Sequence, residues 1–213
     1  MPVAWPVVSG PTFHANVERD GPRLVVRWEG DRPVAVHVSA SPTDPGPRRH
    51  RPADDGALVL DDLDPGTRYY VHLVRDGEDT VVVAERRVPL EGARNFRDLG
   101  GYRGERGRLV RWGAVYRSDH LGDLTDADRA WLDRLGVRTV VDFQGAHERD
   151  GDPPPVAPGI RRVEHPLIDG PAPGVTFYQR VMDRSLPRFD VDDLAAFYLA
   201  TLERSAGTFG EVL

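Results

Sequence analysis

The sequence of 213 residues contains no cysteine, and its 28 basic residues are all arginine. Without cysteine the chain can form neither a disulfide nor a thiolate metal site, and it has no thiol nucleophile. Without lysine it has no amine for a Schiff base and no Walker-type lysine to bind phosphate. The 7 histidines show none of the spacings that are typical of metal ligands. We therefore expect no metal site and no cofactor.

Long apolar runs are also missing. No stretch approaches the ~18 consecutive apolar residues of a transmembrane helix, so we predict no membrane span. The first residues lack the basic and apolar regions of a secretory signal, which predicts a cytoplasmic location. A net charge of -6 gives no general reason to bind nucleic acid. Hydrophobic residues at 39% and charged residues at 29% are ordinary for a globular protein.

Residues 1–89 carry short apolar runs separated by turns rich in glycine, proline and aspartate. None of these runs has helical periodicity, and several are rich in valine, which favours strands. This pattern predicts an all-β sandwich. The predicted strands are residues 24–28, 34–38, 57–60, 69–74 and 80–84.

The most specific segment of this half is residues 63–71, which read Leu-Asp-Pro-Gly-Thr-Arg-Tyr-Tyr-Val. It resembles the L-x-P-G-T-x-Y pattern of fibronectin type III domains, and Trp28 matches the core tryptophan of that family. The resemblance implies that the Tyr69 hydroxyl bonds a nearby backbone group in a tyrosine corner. Such a domain is either a packing and spacer module or a platform for a substrate or partner, because fold alone does not set function.

Residues 90–213 change to an alternation of strands and helices. Thr125 is a good N-cap for a helix over residues 126–135, and Gly136 is a good terminator. Residues 137–143 form a β-branched run that suits a buried parallel strand. A further strand over 161–167 and a helix over 190–205 complete the pattern of an α/β domain.

Four motifs of this half occur in a recognisable order. They read NFRDLGGY at 95–102, WGAVYRSD at 112–119, LGDLT at 121–125 and LGVRTVVDF at 135–143. Together they resemble the bacterial and fungal tyrosine phosphatases that open on an N-F-R-D-L-G-G motif. The resemblance implies that a cysteine thiolate in an H-C-x5-R loop attacks the phosphorus of a phosphomonoester. It also implies that the substrate is a phosphotyrosine protein or a phosphoinositide, with no cofactor.

That cysteine loop is absent from the sequence, which ends shortly before the place where the resemblance would put it. We expect an α/β domain that is truncated at its C-terminus. Two alternatives stay open: a natural relative that binds phosphorylated ligands without turnover, and a split enzyme completed by a second chain. A truncated domain would expose apolar surface and strand edges, so we also expect an oligomer or a completing chain at that edge.

The resemblance assigns candidate residues to the site. A side chain that follows a strand of an α/β sheet lies where ligands gather. Two of the candidates, Arg97 and Asp98, have a structural alternative, in which they form an ion pair that holds the Gly-Gly turn. Asp169 is the candidate acid or orienting residue, against the alternative of a solvated loop aspartate. The substrate-binding candidates are Arg97, Asp98, Arg117, Ser118, Asp119 and Asp142.

One position departs from the family pattern. After the strand at 137–143 the family usually shows D-L-R, whereas this sequence reads Asp142-Phe143-Gln144. The missing arginine removes a positive charge near the expected site, and Arg149 or Arg138 could supply it instead. The departure keeps reduced activity, altered specificity and a non-catalytic role open.

Overall fold

The structure is a computed structural model, and it divides into two compact units, residues 1–123 and 124–213. The predicted domain boundary at residue 90 falls inside the first unit, because the segment after it packs with the preceding sheets. The structure describes residues 14–30, 33, 35–47, 49–50, 56–61, 63–75, 80–104, 107–145, 156–167, 180, 184–185 and 190–212.

A three-stranded antiparallel sheet begins the first unit. It consists of β1 (His14–Asp20), β2 (Arg23–Glu29) and a strand over Ala57–Leu60, in the order β1, β2, Ala57–Leu60. Alternate residues of β2 are buried, and these are Leu24, Val26 and Trp28. This period-2 burial is why an alternating sequence folds as a half-buried strand.

A four-stranded antiparallel sheet faces the same core. Its strands are β3 (Ala35–Ser39), β4 (Arg49–His50), β6 (Tyr70–Val74) and β7 (Val81–Ala84), with Ala57–Leu60 numbered β5. Their order is β4-β3-β6-β7. The two sheets share one hydrophobic core because each turns its apolar face toward the other. That core contains Val17, Leu24, Val26, Trp28, Val36, Val38, Leu60, Leu63, Val71, Leu73 and Val83.

Each predicted strand of this half has a counterpart in the structure, and β1 and β4 were missed. β1 reads HANVERD, where polar residues hide the alternation that the other strands show. The predicted tyrosine corner is confirmed: the Asp64 backbone N–H donates to the Tyr69 hydroxyl over 3.1 Å. Trp28 lies in the core as predicted. The fibronectin type III assignment of the whole sandwich stays a prediction.

The first unit ends in a small antiparallel pair, β8 (Arg97–Asp98) and β9 (Tyr116–Arg117). Arg97 lies opposite Arg117, and Asp98 lies opposite Tyr116. An isolated bridge joins Arg87 to Arg97 on the other side of β8. The N-F-R-D-L-G-G motif is therefore bonded directly to the chain that leaves the four-stranded sheet.

The second unit begins with α1 (Asp126–Arg134), at the position predicted from the capping signals. The Thr125 hydroxyl accepts from the Asp128 N–H over 3.2 Å, and the Asp128 carboxylate accepts from the Thr125 N–H over 3.0 Å. This capping box satisfies two backbone donors that the first turn leaves free. Gly136, with a φ of 68°, ends the helix in the left-handed conformation that glycine adopts without strain.

Two parallel strands follow, β10 (Thr139–Asp142) and β11 (Arg161–Glu164). Both were predicted, and β11 is shorter than the predicted 161–167. The last elements are α2 (Val191–Arg204), capped by Asp190, and α3 (Ala206–Val212). Among the described residues no helix is long and apolar enough to cross a membrane.

The apolar side of α2 is solvent-exposed in this unit. Tyr198, Leu199 and Leu202 keep 58%, 60% and 52% of their surface exposed. The predicted oligomer or completing chain stays a prediction.

Candidate functional site

Asp98 of the N-F-R-D-L-G-G motif is a fully buried carboxylate, with 0% of its surface exposed. One of its oxygens accepts from the Gly100 N–H over 2.7 Å. The other accepts from the Gly113 N–H and from Arg68 Nη2, each over 2.8 Å. Three donors therefore hold the carboxylate. Through them Asp98 connects the loops that contain Gly100 and Gly113 to Arg68, which lies just before β6.

The structure corrects the predicted partner of Asp98. The ion pair is made with Arg68, 30 residues earlier, and not with the neighbouring Arg97. Successive residues of a strand point to opposite faces, so Asp98 turns inward while Arg97 is exposed. A direct contact between Asp98 and a substrate stays an untested prediction, and the described geometry makes Asp98 an organiser of the loop.

Arg68 lies close to two phenol rings, the buried ring of Tyr70 and the half-buried ring of Tyr116. Its guanidinium carbon is 5.3 Å from the ring centre of Tyr70 and 5.7 Å from that of Tyr116. Its Nη2 also donates to the Glu85 carbonyl over 2.8 Å. Burial raises the pKa of Tyr70 and of Tyr116, and the positive charge of Arg68 offsets only part of each rise. Both phenols therefore stay protonated and neutral at physiological pH.

The Gly-Gly turn after Asp98 packs against Trp112. A Cβ atom on Gly100 would lie 2.5 Å from Trp112 Cα, so only glycine fits at this close approach. The Trp112 indole donates to the Val82 carbonyl of β7 over 2.7 Å. Arg86 donates to the carbonyls of Asp98 and Gly100 over 2.7 and 3.1 Å. The turn is therefore fixed from both sides by the end of the four-stranded sheet.

Asp119 holds the beginning of the same motif. Its carboxylate accepts from the backbone N–H groups of Arg94 and Asn95 over 3.2 and 3.3 Å, and from the Ser118 hydroxyl over 3.2 Å. Burial alone would raise the pKa of Asp119, but these donors outweigh it and hold the pKa below its usual value. Asp119 and Ser118 are both exposed, so they remain open to a ligand.

The lowered pKa of Asp119 predicts a pH-dependent stability. A depressed carboxyl pKa stabilises the fold above the unfolded-state value, near 3.8, and this is lost as the pH falls through the folded-state value. For Asp119→Asn we expect a loss of at most about 0.5 kcal/mol at pH 7, because the group is exposed. Urea unfolding at pH 7, 5 and 3 measures it. A wild-type advantage that is undiminished at pH 3 would contradict the assignment.

Arg97 and Arg117 are exposed partners across β8 and β9. Residues directly opposite in an antiparallel pair share a face of the sheet. The structure thus brings these two substrate-binding candidates side by side, with Ser118 and Asp119 next along the chain. Their predicted contact with substrate remains a prediction.

Asp142 belongs to the second unit, where it ends β10. Arg162 of β11 pairs with one carboxylate oxygen, and the Gln144 N–H donates to the other over 2.9 Å. The sequence analysis named Arg138 and Arg149 as replacements for the family arginine, and it did not consider Arg162. Arg149 lies outside the described residues, and Arg138 contributes a backbone carbonyl that accepts from Arg161 over 3.0 Å.

Asp169, the candidate acid, lies outside the residues that the structure describes. The residues missed by sequence reasoning are Arg68, Arg86 and Arg162, each of which fixes a motif residue or its carbonyl. The position of Arg68 could have been recognised from the sequence, because an arginine directly before a buried strand requires a buried hydrogen-bond acceptor. Among the described residues, no three histidine, aspartate or glutamate side chains converge as metal ligands.

Comparison with known proteins places this arrangement in context. Residues 88–213, more than half of the chain, match the model of a tyrosine phosphatase family. A Cupriavidus necator protein, provisionally named a tyrosine-protein phosphatase, is 37% identical over 76 residues. That alignment covers 36% of this chain and 28% of the relative. The chain thus aligns with well under half of the length of this relative.

Proposed function

This chain belongs to the tyrosine phosphatase family, and from that premise we propose that the protein hydrolyses phosphate monoesters through a cysteinyl-phosphate intermediate. The observation that carries the proposal is the family match over residues 88–213. The N-F-R-D-L-G-G motif supports it, because the aspartate and glycines of the motif are used to build one fixed loop. Such a loop gives a catalytic site the rigid support it needs.

The proposed reaction requires a cysteine that these 213 residues do not contain. A thiolate forms a bond to phosphorus while the bond from phosphorus to the leaving oxygen breaks. An acid protonates the leaving oxygen, and Asp169 is our candidate for this role. Water then cleaves the phosphorus–sulfur bond and releases phosphate. The 213 residues contribute the support and part of the substrate surface, and the nucleophile comes from outside them.

The proposed substrate is a phosphotyrosine protein or a phosphoinositide. Arg97 and Arg117 are exposed, side by side, and carry the charge that a phosphoryl group requires. We also propose that the sandwich before residue 90 is a fibronectin type III-like module. The tyrosine corner at Tyr69 and the buried Trp28 support this.

The experiment compares the 213-residue chain with the product of the same reading frame extended downstream. We expect an in-frame H-C-x5-R motif in the extension, and hydrolysis of p-nitrophenyl phosphate only by the extended protein. Cysteine→Ser in that motif should abolish turnover by the extended protein and leave its folding intact. Thiol reagents should inhibit the extended protein. A stop codon directly after Leu213 would exclude the single-chain enzyme.

The second candidate function is a binding protein that recognises phosphorylated ligands without turnover. The observation that favours it is Gln144, which stands where the family usually has arginine and whose N–H is bonded to Asp142. An extended protein that binds phosphotyrosine peptides but does not hydrolyse them would select this alternative. Turnover that increases in Gln144→Arg would support the enzyme.

A further inference from the structure

Three arginines from three neighbouring chain segments lie in one line. Arg87 bridges to Arg97, and Arg97 pairs with Arg117 across β8 and β9. All three are exposed. Residues that lie directly opposite one another share a face, so the three side chains leave the same face of this small sheet. We call Arg87, Arg97 and Arg117 the arginine row.

The hydrogen bonds around Arg97 give the spacing of the row. The Val88 N–H donates to the Phe96 carbonyl and the Asp98 N–H to the Arg86 carbonyl, over 3.1 and 2.9 Å. These bonds flank Arg87 and Arg97, which makes them a non-hydrogen-bonded pair, the type with Cα atoms about 4.5 Å apart. Arg97 and Arg117 then form the wider type, at about 5.5 Å. The row therefore spans about 10 Å.

The acidic groups nearest along the chain are already held by other donors. Glu85 accepts two bonds from Arg19, over 2.9 and 2.7 Å. Asp98 faces inward to Arg68, and Asp119 accepts from backbone N–H groups and Ser118. Among the described residues, no ion pair or side-chain hydrogen bond reaches the guanidinium groups of the row.

Three like charges aligned in this way weaken the fold, because like charges directly opposite one another repel. The inward face of the same strands shows the contrary arrangement, since Asp98 is matched to Arg68 with short bonds. The arginines of the outward face thus have no ion-pair partner within the described part of the chain. A ligand of opposite charge would remove the repulsion.

We propose that the arginine row binds an anion that carries at least two phosphoryl groups. Guanidinium groups grip phosphoryl oxygens bidentately, and neighbouring arginines can share one tetrahedral group. A single phosphoryl group fits one neighbouring pair of guanidinium groups, whereas an anion with two or more phosphoryl groups offers acceptors along the whole row of about 10 Å. Arg87 lies one residue before the family match begins at residue 88, so the row joins that region to the preceding sheet segment.

The choice of a phosphoryl ligand rests on the proposed function, but the test does not require catalysis. Titration calorimetry of the 213-residue chain with inorganic phosphate and with tripolyphosphate measures the dependence on phosphoryl number. We expect tripolyphosphate to bind at least tenfold more tightly, with an affinity that falls steeply as salt is added. Equal affinity for the two probes would overturn the proposal.

The variants Arg87→Gln, Arg97→Gln and Arg117→Gln test the row residue by residue. Each should weaken tripolyphosphate binding about tenfold, as expected for a lost charged hydrogen bond. Each should also raise the melting temperature of the ligand-free chain, because it relieves repulsion. The matched control is Arg27→Gln, an exposed strand arginine of the other sheet, which should change binding less than about twofold.

Vesicles of phosphatidylcholine with a phosphatidylinositol bisphosphate, whose headgroup carries more than one phosphoryl group, distinguish a lipid headgroup from a soluble ligand. Binding to tripolyphosphate but not to the vesicles assigns a soluble ligand. Binding to tripolyphosphate and to the vesicles, weakened in each case by the variants of the arginine row, assigns a headgroup. An unchanged affinity in Arg87→Gln, or an equal loss in Arg27→Gln, would overturn the row. An extended protein without phosphatase activity would refute the proposed function while leaving a row-dependent affinity intact.

Discussion

Asp98→Ala should destabilise the first unit by about 3–5 kcal/mol, because it leaves a buried arginine without its counter-charge. Arg68 keeps only 8% of its surface exposed, and two of its nitrogens, Nε and Nη1, have no hydrogen-bond partner among the described residues. The N–H groups of Gly100 and Gly113 would also lose their acceptor. Urea unfolding and hydrogen exchange of peptides from residues 14–123 measure the loss.

The matched control is an ion pair of similar length at the surface. Arg23 and Asp61 approach to 2.7 Å, but their side chains are 58% and 56% exposed. Asp61→Ala should therefore cost at most about 1 kcal/mol. A double variant, Arg68→Met with Asp98→Leu, should cost clearly less than the sum of the single changes, because no buried charge remains unpaired. Equal costs for Asp98→Ala and Asp61→Ala would refute the role of burial.

Gly100→Ala should destabilise the same unit by about 1–3 kcal/mol through overpacking. The added Cβ would lie 2.5 Å from both Cα and Cδ2 of Trp112. Trp112 cannot move away freely, because its indole is bonded to the Val82 carbonyl. The expected result is a lower urea midpoint with faster exchange of amides in residues 97–117.

Gly104→Ala is the control for this second prediction. Its added Cβ would lie 3.5 Å from the Arg108 carbonyl oxygen, which is ordinary van der Waals contact. We expect a change within about 0.5 kcal/mol, as for most surface substitutions. If Gly100→Ala were as well tolerated as Gly104→Ala, the close packing of the turn on Trp112 would be wrong.

Local sequence patterns predicted many of the elements of this chain because local physics determines them. The capping signal at Thr125 gave the start of α1, and apolar periodicity gave the helix over residues 190–205. Alternation along Arg23–Glu29 gave a half-buried strand. The tyrosine corner at Tyr69 followed from a short motif. Each of these features depends on residues close together in the chain.

The site was predicted less completely because its partners are distant in sequence. The ion pair of Asp98 with Arg68 crosses 30 residues and depends on how β6 sits beside the later loops. Arg162 reaches Asp142 only because β11 lies parallel to β10 in one register. No periodicity encodes such pairings. Motif resemblance therefore supplied the candidate residues, while only the structure showed which donors hold them.

The pair of Arg68 and Asp98 has a consequence for how this protein can change over evolution. Arg68 lies 20 residues before the family match begins at residue 88, and Asp98 lies within it. Replacing the leading sheets with another module would leave the buried carboxylate of Asp98 without its ion-pair partner. Losing the carboxylate would leave the buried arginine without its partner. The two halves of this junction must therefore be inherited, exchanged or redesigned together.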